Sequence, residues 1–437
     1  MTELPRPYPG YLERLAERMA ADMAATDPLT SAHRGAPEPL RAAAASSVEG
    51  LAGELVALSH EIHAHPELGF GEHRAAAAVA GLVRARGHEV EVGAYGLPTS
   101  LRARAGAGRP RVAVLAEYDA LPGIGHACGH NVIAATAVGA FLAAAGLVGD
   151  IDGSVELIGT PAEEGGGGKE IIARAGGFDE VDAVVMLHPA GLEVAEHPWL
   201  GVRTVDVAYH GLPAHASAWP FLGRNALDAV VQAYTGIAAL RQHLLPTDRV
   251  HGVITDGGQK PNIVPERAAA TFYLRSAEPE TLAELVERAT AVFTAAATAT
   301  GTRVELGWDP TPVYMPVRNN HALAARWAAN VATRGRRSLP AGVIPGTLTG
   351  STDLGNVSVR VPSIHPMLAI APPTVTIHQP EFAEWAAGER ADAGCVDGAI
   401  GLALTALDYL TDADLRGAAS AEFEAAGGVL DLDAVVG

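Results

Sequence analysis

The sequence predicts an α/β protein, a doubly wound, mostly parallel sheet domain into which a smaller, ferredoxin-like α+β domain is inserted. Three apolar runs indicate the sheet, because RVAVLAEYD, SVELIGTPAEE and AVVMLHP are rich in Val, Leu and Ile and end abruptly in polar residues. Such runs, with little alternation, are typical of strands that are buried on both faces in parallel sheets. Residues 201–313 indicate the insertion, because their strand and helix patterns follow the order βαββαβ.

Helical periodicity places the first elements of the chain. Apolar residues recur at helical spacing over residues 12–25, 47–64 and 75–84, and turn-forming residues separate the first two of these helices. Short strands are predicted near Val90 and Leu101. The longest apolar run, residues 132–148, is rich in Ala, contains two glycines and is too short to cross a bilayer. We therefore expect a buried helix there.

The inserted domain has a different pattern from the sheet domain. RTVDVAYHG alternates in polarity, which is typical of a strand with one exposed face. Residues 225–244 and 279–298 are predicted helices, and Pro279 suits the first helical position because an N–H there would have no helical partner. VHGVITDGG, ERAAATFYLRS and TRVELGW supply the other strands. The predicted boundaries are 1–200 for the first part of the sheet domain, 201–313 for the insertion and 314–437 for the second part.

Composition and charge exclude several functional classes. Of the 437 residues, 48% are hydrophobic and 19% are charged, which indicates a globular protein with enough apolar side chain for a large core. A net charge of -19 repels the phosphates of nucleic acids and anionic membranes, so neither is expected as a partner. The two cysteines are too few for a secreted disulfide framework, and the first 25 residues lack the pattern of a signal peptide. A cytoplasmic location is expected.

Two short motifs after predicted strands carry metal-ligand chemistry. Cys128 and His130 lie two residues apart in GIGHACGH, just before the apolar helix, whose N-terminus is expected to lower the pKa of the thiol. Taken alone, such a pair is more often a small buried cysteine beside a loop histidine. Glu163 and Glu164 follow the second strand, where one could coordinate an ion and the other act as general base. Taken alone, such a pair is more often an exposed acidic turn.

Histidines near other predicted strand ends extend this pattern. His188 ends the third apolar run, and His365 and His378 lie near the C-terminus; any one of them is more often structural than a ligand. The expected convergence of these cysteine, histidine and glutamate residues at one edge of the sheet favours a metal site, because ligands bind beyond the carboxyl ends of the strands in doubly wound sheets. Glu117 and Asp119 end a neighbouring strand, where a carboxylate can hold a ligating imidazole in one tautomer. The donors predicted for a two-ion site are Cys128, His130, Glu164, His188 and one late histidine.

Six motifs occur in a fixed order along the chain: AEYDALPGIGHACGHN, GTPAEEGGGGKE, MLHPAG, GLPAHAS, GGQKPNIVP and GSTDLGNVS. In combination they resemble the zinc aminoacylase, carboxypeptidase G and aminobenzoyl-glutamate hydrolase family of metallopeptidases, over about residues 55–399. The resemblance to its cysteine-containing branch implies Glu163 as general base. It implies that the insertion is a lid and dimerisation domain, whose His215 and Asn262 bind substrate or stabilise the oxyanion. The implied ligands of two divalent ions are Cys128, His130, Glu164, His188 and His378.

Some positions depart from the family pattern or leave a choice open. Asn131 stands where the branch usually has aspartate, and Glu117 stands where some relatives have a ligating histidine. His378 in TIHQPEF is the predicted last ligand, whereas His365 in PSIHP is predicted to line the substrate pocket. For His215, a role in capping a turn of the insertion is the structural alternative.

The predicted function is metal-dependent hydrolysis of an amide bond in a small carboxylate-bearing substrate, either a dipeptide or an aminobenzoyl-glutamate-like molecule. Two zinc, manganese or cobalt ions are the expected cofactors, and the soft thiolate of Cys128 favours zinc over magnesium. An N-acyl-amino-acid amidohydrolase is the close alternative. A hydrolase with Cys128 as covalent nucleophile and a non-catalytic small-molecule binder are two further classes. The expected partners are the small substrate and a second copy of the chain.

Overall fold

The structure is a computed structural model that describes Tyr8, residues 10–149 and residues 151–436. The chain divides into two compact units. Unit 1 comprises Met1–His197, Arg318–Pro345 and Val357–Leu430, and unit 2 comprises Pro198–Val317, Gly346–Asn356 and Asp431–Gly437. The segment 346–356 groups with unit 2 because backbone and side-chain hydrogen bonds hold it there, such as Leu200 N to Gly350 O at 2.9 Å. Local sequence patterns do not indicate such a return of the chain.

The helices and strands are numbered in chain order. The helices are α1 Tyr11–Ala25, α2 Glu38–Ala64, α3 His73–Ala85, α4 His130–Ala145, α5 Gly168–Arg174, α6 Ala226–Leu240, α7 Pro279–Thr300, α8 His321–Ala332, α9 Leu354–Ser358, α10 Pro380–Trp385, α11 Glu389–Thr411, α12 Ala413–Ala425 and α13 Leu432–Val436. The strands are β1 Glu91–Val92, β2 Leu101–Ala107, β3 Arg111–Ala116, β4 Gly153–Gly159, β5 Ala183–Val185, β6 His188–Ala190, β7 Gly201–His210, β8 Arg249–Asp256, β9 Arg267–Ser276, β10 Arg303–Trp308, β11 Ser363–Ile364 and β12 Met367–Ala369.

The main sheet of unit 1 has the strand order β1-β2-β4-β3-β5-β11. Strands β4, β3, β5 and β11 are parallel to one another, and β2 runs antiparallel to β4 at the side that β1 extends. Every residue of β3 and β4 is buried, as expected for strands covered on both faces. The predicted mostly parallel α/β sheet is confirmed.

The third apolar run differs from the single strand that the sequence predicts. Strand β5 ends at Val185, and His188 begins β6, which pairs in parallel with β12 in a separate two-stranded sheet. The prediction of one strand ending at His188 is therefore wrong in detail. Met186 and Leu187 between the two strands are fully buried, so their hydrophobicity gives no sign of the break.

The core of unit 1 forms where α4 packs against α2 and α11. Helix α4 is buried from His130 to Ala144, which confirms the predicted buried helix. The contact is close, because a Cβ added at Gly139 would lie 2.6 Å from Leu55 and 2.7 Å from Ala399. Helix α11 is long and apolar enough to span a membrane, but 83% of its most apolar window is buried inside the protein, as in a core helix.

Unit 2 contains an antiparallel sheet with the order β10-β7-β9-β8, which is covered by α6 and α7. Its order along the chain is β7-α6-β8-β9-α7-β10, which confirms the predicted ferredoxin-like arrangement. The Asn225 side chain caps α6 by accepting hydrogen bonds from Leu227 N and Asp228 N. The rings of Phe272 and Phe293, 5.1 Å apart, join β9 to α7 in the core.

Candidate metal centre

Unit 1 collects the predicted ligands beyond the carboxyl ends of three neighbouring strands. Glu117 and Asp119 follow β3, the pair Glu163 and Glu164 follows β4, and His188 follows β5. Within the described part of unit 1, three groups of side chains have ligand atoms within 4.8 Å of one another: Cys128 with His130 and His188, Cys128 with Glu164 and His378, and His130 with Glu163 and Glu164. The groups share members, so the structure brings all five predicted ligands and the predicted base into one cluster.

The distances within the cluster suit donors that share a cation. Cys128 Sγ lies 3.3 Å from His188 Nε2, and Glu164 Oε1 lies 3.2 Å from His378 Nε2. Two donors bound to one tetrahedral zinc ion at about 2.0–2.3 Å are roughly 3.3–3.8 Å apart. His130 Nε2 is buried and makes no hydrogen bond within the described part of the chain. An orphaned imidazole nitrogen facing thiol and carboxylate groups fits a metal ligand.

Asp119 fixes the orientation of His130. The Asp119 Oδ1 atom lies 3.0 Å from His130 Nδ1, and Asp119 Oδ2 accepts a hydrogen bond of 2.9 Å from the backbone N–H of Glu164. Burial tends to raise the pKa of Asp119, but the charge and hydrogen bond of His130 outweigh it and hold that pKa below the usual range. The ionised carboxylate accepts a hydrogen bond from Nδ1–H, and Nε2 is left to face the centre.

His188 is held in the neutral form that a metal ligand needs. Its Nδ1 atom lies 2.7 Å from the carbonyl oxygen of Pro189, so Nδ1–H donates and Nε2 keeps its lone pair toward Cys128. Burial, followed by the charge of His130, lowers the pKa of His188 to about 4. His365 is buried beside it, with ring centroids 5.6 Å apart, and among the described residues it belongs to none of the ligand groups. His378 lies in the group with Cys128 and Glu164, and its role as the last ligand stays a prediction.

The thiol of Cys128 differs from the sequence expectation. Burial, reinforced by the charge of Glu164, raises the pKa of Cys128 well above its usual range, although the residue lies two positions before α4. The prediction of a lowered pKa is wrong for the protein groups alone, because desolvation outweighs the lowering effect of the neighbouring His130. Burial therefore makes a thiolate at this position costly unless a cation lies beside it.

Backbone geometry brings the ligand-bearing loops together. Gly129 has a φ of 81°, and a Cβ added there would lie 2.6 Å from Pro189, the neighbour of His188. His378 also has a positive φ of 63°, and its backbone N–H donates to Ala127 O at 2.9 Å. A left-handed non-glycine residue is a strained conformation that the surrounding structure must hold. The His378 side chain is half exposed, so the centre is open to solvent on that side.

Lys169 is the neighbour of the centre that sequence reasoning missed. Its side chain is fully buried and forms a short ion pair with Glu117, whose other oxygen lies 3.5 Å from His130 Nε2. Glu117 and Asp119 are both placed beside His130, but it is Asp119 that hydrogen-bonds Nδ1. A lysine in a glycine-rich segment is usually exposed, so its residue type gave no signal of this role.

His215 and Asn262 lie close together on unit 2. His215 forms an isolated bridge with Ile263, and Ala216 N donates to Asn262 O at 3.1 Å. The Nδ1 atom of His215 accepts from Ser217 N and Ala218 N at 3.3 and 3.1 Å, which is the turn-capping arrangement. The roles of His215 and Asn262 toward substrate stay predictions.

The fold and the donor set define a class of protein, the metal-dependent hydrolases whose ligands lie at the carboxyl ends of parallel strands. The model of peptidase family M20/M25/M40 matches residues 113–390, and the chain belongs to this family. The family predicted from the six motifs is confirmed, and the chain is a hydrolase.

Two known relatives support the same family, and a solved structure supports the fold. The chain is 38% identical over 392 residues to the Xaa-Arg dipeptidase of Mus musculus, covering 85% of this chain and 89% of the relative. It is 33% identical over 283 residues to a p-aminobenzoyl-glutamate hydrolase component of Escherichia coli (strain K12), covering 60% of this chain and 59% of the relative. The Bacillus subtilis YXEP protein, a dinuclear metal binding peptidase, has a similar fold with a TM-score of 0.60 at 20% identity, covering 80% of this chain and 98% of that one.

Proposed function

We propose that this hydrolase cleaves the amide bond of a dipeptide whose C-terminal residue carries a free carboxylate, with two divalent cations at the candidate metal centre. The observation that carries the proposal is the convergence of a thiol, three imidazoles and two carboxylates in one cluster of unit 1. A relative that is 38% identical and named a Xaa-Arg dipeptidase supports a dipeptide with C-terminal arginine as the first substrate to test. The p-aminobenzoyl-glutamate hydrolase relative supports an aryl amide of glutamate as the second.

The proposed metal ligands are the five donors of the cluster, namely Cys128, His130, Glu164, His188 and His378. The mixture of sulfur, nitrogen and oxygen atoms suits zinc, with manganese and cobalt as the other candidates. Bound there, such cations lower the pKa of a water molecule and polarise the carbonyl of the substrate. Asp119 holds His130 for this task, because it accepts the hydrogen bond of Nδ1–H and directs Nε2 at the other ligands, where a bound cation would replace the Nε2 proton.

Glu163 is the proposed general base. Its Oε2 lies 3.9 Å from His130 Nε2, within the cluster, and its side chain is buried, with bulk water largely excluded. In the proposed reaction the Glu163 carboxylate takes a proton from the attacking water and then gives it to the amine nitrogen as the C–N bond breaks. One water molecule is consumed, and a carboxylic acid and an amine are released.

The decisive experiment combines elemental analysis with a hydrolysis screen. Purified protein is treated with a chelator, reloaded with zinc, manganese or cobalt, and assayed on Xaa-Arg dipeptides, N-acetyl amino acids and aminobenzoyl-glutamate. Preference for N-acetyl amino acids would favour the aminoacylase alternative. The Glu163→Gln variant is expected to retain two ions per chain and to lose about 10²–10⁴-fold in kcat. The matched control is Glu180→Gln, at an exposed carboxylate of unit 1, and near-normal turnover of Glu163→Gln would refute the assignment.

We also propose a homodimer formed through unit 2 and a cytoplasmic location. The edge strand β8 supports the dimer, because its Val253 side chain is 60% exposed on a strand with one free edge. The two free, buried cysteines suit a reducing compartment. Light scattering of the purified protein tests the dimer directly, and a monomer at micromolar concentration would contradict it.

A further inference from the structure

The Glu72 carboxylate is fully buried beneath the turn that carries Glu163 and Glu164. Its Oε1 atom accepts hydrogen bonds from the backbone N–H groups of Phe70 and Ala162 at 2.9 and 2.8 Å. Its Oε2 atom accepts from Thr99 Oγ1 at 2.8 Å. A buried carboxylate is costly unless each oxygen is bonded, and here both are.

The two backbone N–H groups on Glu72 Oε1 belong to strained residues. Phe70 has a φ of 64° and Ala162 a φ of 58°, and both lie in the left-handed region that side chains with a Cβ avoid. Ala162 immediately precedes Glu163. Its conformation therefore sets the direction in which the chain leaves β4 and presents the two glutamates.

Neighbouring glycines make room for this turn. A Cβ added at Gly166 would lie 2.6 Å from Ala162 Cβ and 2.8 Å from the Phe70 ring, and one added at Gly69 would lie 2.9 Å from Ala162 Cβ. The Gly166 N–H also donates to Ala162 O at 3.1 Å. Glu72 is thus the carboxyl acceptor in a compact assembly of glycines, backbone groups, the Ala162 methyl group, the Phe70 ring and the Thr99 hydroxyl.

Thr99 extends the assembly to the segment that carries Asp119. Besides donating to Glu72, Thr99 accepts at its carbonyl oxygen a hydrogen bond of 2.5 Å from the hydroxyl of Tyr118. Tyr118 precedes Asp119, which itself accepts from Glu164 N. The Glu72 assembly therefore touches both segments that meet at the candidate centre.

We propose that Glu72 is a positioning residue for catalysis, which holds Ala162 in its left-handed conformation and thereby aims the Glu163 carboxylate and the Glu164 ligand at the metal centre. The proposal rests on the proposed function, because it assigns Glu72 a purpose through Glu163 and Glu164. This positioning role differs from a general contribution to folding. Loss of a contact that only stabilises the same segment would not alter the geometry of Glu163 and Glu164.

Glu67 provides a matched control, because its carboxylate stabilises the same segment without a hydrogen bond to the described residues of the turn that carries Glu163 and Glu164. It lies on the same segment, and its carboxylate also accepts backbone N–H groups, those of Arg74 and Ala75 at 2.8 and 3.0 Å at the start of α3. Within the described part of the chain, the hydrogen bonds of this carboxylate go to α3 and not to the turn after β4. Loss of Glu67 should therefore reduce stability and leave the direction of the glutamate pair intact.

The experiment compares Glu72→Ala, Glu72→Gln and Glu67→Ala in the metal-loaded, full-length enzyme. Glu72→Ala is expected to lower kcat by about tenfold or more with KM within about threefold, because small misplacement of a catalytic group is costly. Glu72→Gln keeps an oxygen for both N–H groups and is expected to lose less. Bound ions per chain should stay at the wild-type value in all three, while the visible absorption of the cobalt-loaded enzyme shifts in Glu72→Ala only, because Glu164 is a proposed ligand.

A rescue variant and three contrary outcomes distinguish a positioning role of Glu72 from a purely structural role. Adding Ala162→Gly to Glu72→Ala should restore part of the lost kcat, because glycine adopts a positive φ without the Cβ clash. The proposal is overturned if Glu72→Ala and Glu67→Ala have the same kcat, or if lost kcat tracks lost ions. If Glu72→Ala does not fold, the Thr99→Val variant is tested instead. An unchanged kcat and an unchanged cobalt spectrum in Thr99→Val would then overturn the proposal. Glu163→Gln, assayed in parallel, shows separately whether the proposed function itself has failed.

Discussion

The buried pair of Lys169 and Glu117 permits a quantitative test of the electrostatics around the candidate centre. Both side chains are fully buried, so neither charge is compensated by bulk water. Replacing lysine by methionine in Lys169→Met keeps the length of the side chain and removes the ammonium, which leaves Glu117 as a buried carboxylate 3.5 Å from His130. Breaking a buried pair from one side costs about 3–5 kcal/mol, a large share of a stability of about 5–15 kcal/mol.

The assay is urea denaturation of the metal-free protein, followed by tryptophan fluorescence, to which the buried Trp327 of unit 1 contributes. Lys169→Met and Glu117→Gln are each expected to lower the free energy of unfolding by about 3–5 kcal/mol, whereas the double variant should lose less than the sum, since no charge is left unpaired. Added salt should change these values little, because screening acts weakly on buried charges. Additive losses in the double variant would refute the reasoning.

Three further changes test the geometry. Asp119→Asn should weaken metal binding by about 10–100-fold, measured by competition with a chromophoric chelator, because the amide carries no charge and must turn its NH2 group toward either the His130 Nδ1–H or the Glu164 N–H; unchanged affinity would contradict that role. Gly129→Ala should lower the free energy of unfolding by about 2–4 kcal/mol, since it adds a Cβ at a φ of 81° against Pro189, and an unaltered melting temperature would argue against this close approach. Burial raises the pKa of Glu193 above 4.5, so its contribution to stability is complete below that pH and is lost as pH rises through the folded-state pKa. The free energy of unfolding of Glu193→Gln, measured by urea denaturation, should therefore rise relative to that of the wild type as the pH increases across that interval. Parallel pH profiles of the two proteins would contradict the raised pKa.

The sequence predicted the sheet domain well because its signals are local. Strands β3 and β4 are runs of apolar residues between polar ends, and helix α4 is apolar on every side, so burial on all faces can be inferred from composition alone. The break between β5 and β6 has no such signal, because Met186 and Leu187 are as apolar as a strand. The start of α2 at Glu38, nine residues before the predicted 47, lies in an alanine run without apolar periodicity.

The candidate site was predictable in its donors and in the supporting carboxylate of Asp119, but not in its other supports. Cysteine, histidine and paired glutamates after strand ends indicate metal chemistry by residue type. Lys169 and Glu72 do not, because each is a common surface residue whose burial depends on a partner far away in sequence, Glu117 and Ala162 respectively. The left-handed conformation of Ala162 is equally hidden, since alanine, unlike glycine, gives no indication of a positive φ.

Charge explains why these supports accompany the ligands. Beyond β3 and β4 the fold concentrates the carboxylates of Glu117, Asp119, Glu163 and Glu164 in a chain whose net charge is already -19. Buried like charges repel strongly at low dielectric, so such a cluster is stable only when cations or fixed donors oppose it. The Lys169 ammonium opposes one of these carboxylates, and backbone N–H groups oppose others, as Glu164 N does for Asp119. The remaining negative charge is what two divalent cations would neutralise, so the same acidic residues that make the metal-free protein costly to fold favour the binding of doubly charged ions.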